Sequence, residues 1–140
     1  MTTSPTSKLE AVNVMMTAIG ETPVNTITSA TTTDVSIAVT ILDNVSREVQ
    51  SVGWHFNSDQ DYKLLPNSSS QVELPTNCLR IDTSGTSQAD DYVERSRKLW
   101  DRKNHTFTIT DAEVYVDIVW FLEFTELPET ARRYITIRAA

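Results

Sequence analysis

Val45-Ser46-Arg47-Glu48-Val49-Gln50-Ser51-Val52-Gly53-Trp54-His55-Phe56-Asn57 is the stretch in which this sequence changes its period. Upstream of it, Val35, Ala38, Leu42, Val45, Val49 and Val52 recur at steps of three and four, and Ile37 and Ile41 widen the stripe. Such spacing places apolar side chains on one face of an α-helix, expected over residues 34–52. Thr33 or Asp34 can cap its first turn, and Asp43 and Arg47 stand one turn apart on the opposite face. Gly53 ends the helix, and from Trp54 to Leu122 the apolar residues fall in short, β-like segments. The stretch therefore predicts an α+β chain, a small amphipathic helical bundle packed with an antiparallel or mixed β-sheet domain.

Working outward, Ser7-Lys8-Leu9-Glu10 reads as a capping box that opens a first helix over residues 7–19. Leu9, Val12, Met16 and Ile19 form its stripe, Gly20 supplies a left-handed stop, and Pro23 prevents resumption. The two helices are expected to form an antiparallel hairpin. Leu127-Pro128-Glu129 opens a third helix over 128–140, with Ala131, Tyr134, Ile135 and Arg138 at helical spacing. It reaches Ala139-Ala140 without a capping glycine, so the expectation is either that the natural protein continues or that this chain is a shortened relative. Between the second and third helices, strands are expected at Trp54–Asn57, Tyr62–Leu65, Val72–Leu74, Cys78–Asp82, Tyr92–Leu99, Thr106–Thr110 and Val114–Leu122. Turn-forming runs such as Pro66-Asn67-Ser68-Ser69-Ser70, Ser84-Gly85-Thr86-Ser87 and Arg102-Lys103-Asn104 separate several of them. A length of 140 residues predicts a single domain.

Composition narrows the function. The longest apolar run, Val114 to Leu122, is interrupted by Asp117 and falls short of the roughly 20 residues a bilayer requires. The start of the chain lacks the basic-then-apolar pattern of a secretory signal. One cysteine, Cys78, forms no internal disulfide and suits a reducing cytosol. A net charge of −7 argues against gripping nucleic acid through its phosphates, although an acidic wall would let a duplex slide past without sticking.

The residues offer little for catalysis. Cys78 lies in an apolar strand pattern and reads as a small core residue. His55 and His105 have no partner at ligand spacing, and only three glycines are present, so neither a metal centre, a phosphate loop nor any cofactor is expected. Asp82, Asp90, Asp91 and Glu94 flank one loop and one strand; they read as solvated acid, or as the carboxylates of a glycan hydrolase acting on peptidoglycan or capsular polysaccharide. The only basic run holds Arg95, Arg97, Lys98, Arg102 and Lys103 around Trp100. It can be the charged outer face of a strand and turn, a contact with an acidic neighbour, or a nucleic-acid contact. Trp54, Trp100, Tyr115, Arg132, Arg133 and Tyr134 are the candidate interface anchors. Trp54 and Tyr134 can instead pack in the core, and of the adjacent Arg132 and Arg133 one can pair internally while the other reaches a neighbour.

Several runs, in order, resemble one family. They are Leu9-Glu10-Ala11-Val12-Asn13 with Ala18-Ile19-Gly20-Glu21-Thr22-Pro23-Val24; Gly53-Trp54-His55-Phe56-Asn57; Leu79-Arg80-Ile81-Asp82; Leu99-Trp100-Asp101; and Glu126-Leu127-Pro128-Glu129 with Ala131-Arg132-Arg133-Tyr134-Ile135 and Arg138-Ala139-Ala140. Together they resemble the tail tubular protein A family of short-tailed bacteriophages. The resemblance implies a non-enzymatic head-to-tail adaptor in the virion tail, assembled in the host cytoplasm as a twelve-membered ring beneath the portal protein. It further implies a nozzle protein (tail tubular protein B) attached below, tail fibres docking at the junction, and double-stranded DNA passing through the channel without specific binding. Members of that family typically continue as helix beyond the Arg-Ala-Ala motif.

Overall fold

The structure, a computed structural model, describes residues 4–27, 33–85 and 90–140. They group into two compact units, Met1–Val52 with Leu122–Ala140, and Gly53–Phe121. The boundary lies at Gly53, where the sequence changes period. Among the described residues there are three α-helices, all in the first unit, and five strands, all in the second. This is the expected α+β class.

In the first unit, α1 spans Lys8–Ala18, α2 Thr33–Gln50 and α3 Glu129–Ala139. The Ser7 side chain accepts from the Glu10 N–H, which gives α1 its cap. At its end Gly20, at φ +83°, donates to Thr17 O while the Glu21 N–H reaches Met16 O. These two bonds make a Schellman stop, and glycine is suited to its left-handed position. The start of α2 at Thr33 puts Thr33 and Asp34 inside the first turn, and the residue before them lies outside the described residues. Lys8 pairs with Asp43 at 2.9 Å while Met16 and Ile19 line the same hollow as Ile37 and Ala38, so α1 and α2 run antiparallel.

The buried faces keep Val12 and Met16 of the first expected stripe and Val35, Ala38, Leu42 and Val49 of the second, and differ at their margins. In α1 they are Ala11, Val12, Met15 and Met16, with Ile19 exposed; in α2 they include Val35, Ala38, Leu42 and Val49 together with Ser46 and Gln50, with Ile37, Ile41 and Val52 exposed. Gln50 is fully buried because its amide is matched. Its Nε2 donates to Ser46 Oγ and Leu122 O, and its Oε1 accepts from the Leu122 N–H at 2.8 Å. That exchange fastens the end of α2 to the returning chain.

In the second unit, β1 (Ser58–Leu64), β2 (Cys78–Thr83) and β5 (Val114–Trp120) form an antiparallel sheet in the order β1-β5-β2. Central β5 buries Val114, Val116 and Ile118 at 0% exposure on one face and leaves Tyr115 and Asp117 on the other. With Leu64, Val72, Leu74, Cys78, Tyr92, Leu99 and Ile109 these residues make the core. A bulge interrupts β1 between Asp59 and Tyr62, where Asp61 takes φ +52°.

Four expected strands differ. Trp54–Asn57 is a turn, because buried Asn57 ties it into one: its Oδ1 accepts from the Trp54 N–H and its Nδ2 donates to Trp120 O. Val72–Leu74 and Thr106–Thr110 each contribute a single bridge, Glu73 to Lys98 and Thr106 to Asp101. Tyr92–Leu99 is not one strand but the start of a hairpin, β3 (Tyr92–Arg95) and β4 (Lys98–Asp101), folded at Ser96-Arg97. Both turn residues have positive φ, 54° and 63°, as the two-residue turn that matches strand twist requires. The expected turn at Ser84-Gly85-Thr86-Ser87 extends outside the described residues.

Candidate functional site

The hairpin sorts its side chains by parity. Tyr92, Leu99 and Asp101 are buried, while Val93, Arg95, Lys98 and Trp100 share the opposite face, since cross-strand partners Val93–Trp100 and Arg95–Lys98 point the same way. On that outer face the Arg95 guanidinium lies 4.3 Å from the Trp100 ring centroid. Trp100 meets Phe107 edge to face at 4.7 Å, and Lys98 Nζ lies 5.8 Å from the Phe107 ring while donating to Gln71 Oε1 at 3.0 Å. The result is a continuous row of cation and aromatic groups, ordered by its own contacts.

Three other members of the basic run are placed differently. Arg97 stays exposed but is tied to its own chain: its guanidinium donates to Cys78 O at 2.9 Å and Pro75 O at 2.6 Å and pairs with Glu94 at 2.7 Å. Arg102 faces Asp91 at 3.4 Å. Lys103 lies in a loop built by Asp101, whose carboxylate accepts from the Lys103 and Asn104 N–H groups and from Asn104 Nδ2. The Asn104 side-chain bond, followed by the backbone bonds, holds the Asp101 carboxyl below its ordinary pKa.

The other candidates are dispersed. Trp54 stands 42% exposed, stacked parallel to Phe56 at 6.3 Å, and Tyr134 is 50% exposed on α3. Both are half-covered, so neither is a buried core residue. Tyr115 lies on the outer face of the three-stranded sheet and donates to Glu113 Oε2 at 2.6 Å, a bond that raises its phenol pKa. Arg133 is exposed. Arg132, by contrast, is 9% exposed and held within its own unit, its guanidinium donating to Leu127 O at 2.8 Å, Thr6 O at 2.9 Å and Thr125 O. A side chain so engaged has little to offer a neighbour.

The acids do not converge. Asp82 is exposed on the outer sheet face, beside its cross-strand partner Asp117. Asp90 is bonded to Asp111, and its carboxyl is raised first by burial and then by that neighbour. Asp91 and Glu94 pair with Arg102 and Arg97. Cys78 is buried in the core, and burial pushes its thiol pKa up, away from a nucleophilic thiolate. Among the described residues no group of three His, Cys, Asp or Glu side chains could hold a metal ion.

A family model described as tail tubular protein matches residues 9–140. The chain belongs to that family. It is a structural component of a bacteriophage tail. No curated protein matches the chain. The hairpin row includes Phe107 and Val93, which sequence reasoning missed. The missed signal was the parity of Val93, Arg95, Lys98 and Trp100, which shows a shared face only once a turn is placed at Ser96-Arg97.

Proposed function

We propose that this chain is a non-enzymatic subunit of the adaptor ring that joins the portal protein to the tail nozzle and encloses the DNA exit channel. What carries the reading is the family match from residue 9 to residue 140, taken with the resemblance of the same runs to head-to-tail adaptors. The surface chemistry supports it. Ring subunits meet through two different patches, one on each neighbour, and the exposed Trp54, Arg95, Arg133 and Tyr134 belong to the residue types that anchor such contacts. The charge of −7 suits a channel protein that must let a duplex pass.

The expected assembly is a twelve-membered ring, with the nozzle protein and tail fibres attached below it. Mass spectrometry of purified virions and cryo-EM of the intact tail test this. The chain should be present in several copies between the capsid vertex and the nozzle. Its absence from virions would remove the reading.

A further inference from the structure

The hairpin row and one other surface of the same unit are complementary. Arg95, Arg97, Lys98, Arg102 and Lys103 are five of the chain's 12 Lys and Arg residues, and the run from Arg95 to Lys103 holds one acid, Asp101; the rest of the chain carries seven bases against 18 acids. Among the described residues the Arg95 guanidinium has no carboxylate partner, only the Trp100 face. A guanidinium held flat on an indole is already ordered, so little side-chain entropy remains to be lost when something docks on it.

The second surface is the outer face of the three-stranded sheet. Asp82 and Asp117 are direct partners in the β2–β5 register, so two carboxylates of like charge face each other across the strands. Among the described residues neither is in an ion pair, and the hydrogen bond there is the one Asp117 accepts from the Asp61 N–H at 3.2 Å. The two line a shallow hollow of about 240 Å³ with Asp59, Gln60 and Arg80. Asp59, the register partner of core-facing Ile118, is engaged by the Trp120 indole N–H at 2.8 Å, which leaves two outer-face carboxylates, Asp82 and Asp117, against the single charge of Arg80. A planar guanidinium with five donors is the group that such opposed carboxylates suit best.

We infer that these two faces dock on each other between copies, the Arg95–Trp100 row of one subunit entering the Asp82–Asp117 hollow of the next. This assignment rests on the ring reading and names its contact: two unlike patches on one chain, which is what a closing cyclic interface needs. The occupant is a second copy and not nucleic acid, because the acids outside the run repel phosphates while opposed like charges in the hollow call for a cation. Docking relieves the Asp82–Asp117 repulsion and buries Trp100 and Arg95, two residue types enriched among interface hot spots.

Sedimentation velocity of the full chain in low salt tests the assignment, using the unaltered chain, Arg95→Asp, Asp117→Arg and the double variant, each checked for folding by circular dichroism. The unaltered chain should self-associate at high micromolar concentration and dissociate as salt is raised. Each single reversal should weaken association about tenfold or more, and the double variant should recover most of it, because the swapped charges rebuild the pair. Association indifferent to both reversals overturns the inference and leaves the ring reading standing, with copies meeting elsewhere. A chain that stays monomeric throughout overturns it as well. So does loss in Asp117→Arg without loss in Arg95→Asp, which would give the hollow a different occupant. A short DNA strand bound by the unaltered chain and lost only in Arg95→Asp would assign the row to nucleic acid instead. Absence of the chain from virions would remove the ring and leave this docking measurement intact.

Discussion

At the scale of residues, the buried polar side chains are the informative ones. Arg132 gathers the carbonyls of Thr6, Thr125 and Leu127, which come from both ends of the chain. Arg132→Met would leave those carbonyls without their donor, and it should cost about 3 kcal/mol in urea denaturation. Arg132→Lys should recover only part of this, since an ammonium cannot span three diverging carbonyls. Next to it, Glu129 accepts from the Thr6 N–H at 2.6 Å and the Thr6 hydroxyl at 2.5 Å. Those bonds depress its pKa, so the folded chain binds this proton less readily than the unfolded chain does. Their contribution is therefore complete above the ordinary glutamate value and disappears as pH falls through the lower folded value. Glu129→Gln should accordingly lower stability at neutral pH and make less difference in strong acid; a constant difference across an acid titration of the thermal midpoint would contradict this.

At the scale of elements, the β3–β4 hairpin depends on a turn that its sequence does not announce. Turns of this kind favour Asn-Gly, and here Ser96-Arg97 occupies both left-handed positions. The conformational cost, of order 1 kcal/mol for each residue, is offset by the Arg97 bonds to the Pro75 and Cys78 carbonyls and by the Leu74 N–H donating to Arg97 O at 3.0 Å. Ser96→Asn should raise stability by about 0.5 kcal/mol, whereas Arg97→Ala should lower it by about 2 kcal/mol through its lost charge-assisted bonds. Chemical denaturation with both variants checks the pair, and an Arg97→Ala chain as stable as the parent would show that the turn holds itself. The helix ends were more readable. Ser7 and Gly20 were both marked by their own chemistry, and each forms the cap its type implies. The buried stripes were read less well, because Ser46 and Gln50 enter the core only with partners such as Leu122 to satisfy them.

At the scale of the whole molecule, the acidic balance bears on how the chain meets DNA. Arg95 and Lys98 give it one attractive surface, but a net charge of −7 opposes the approach of phosphates. A gel shift with double-stranded DNA at micromolar protein and physiological salt should show no retained band. A band that vanished only as salt rose would contradict the channel reading and favour a DNA grip. The same balance explains why assembly should depend on salt if the basic row meets acid on another copy. The ordered runs from Leu9 to Ala140 placed the chain in its family without the structure, since such runs are matched as a sequence. The candidate site was less legible. Trp100 and Arg95 were visible as residue types, yet Phe107 joins them through a loop contact that no spacing rule reveals.

Helix and strand periods are local quantities, set by the rise and twist of a few consecutive residues, so the switch at Gly53 and the α+β class could be read along the chain alone. The direction each polar side chain takes is not local. Arg97 finds its carbonyls about 20 positions away, Gln50 exchanges bonds with a residue 72 positions on, and Arg132 with one 126 positions back. Burial of Gln50 and Arg132 is tolerable only when those distant partners are in place. Folding alone therefore decided that Arg132 is held inside while Arg133 and Tyr134 are exposed, and that Arg95, Trp100, Phe107 and Lys98 stand together on one face.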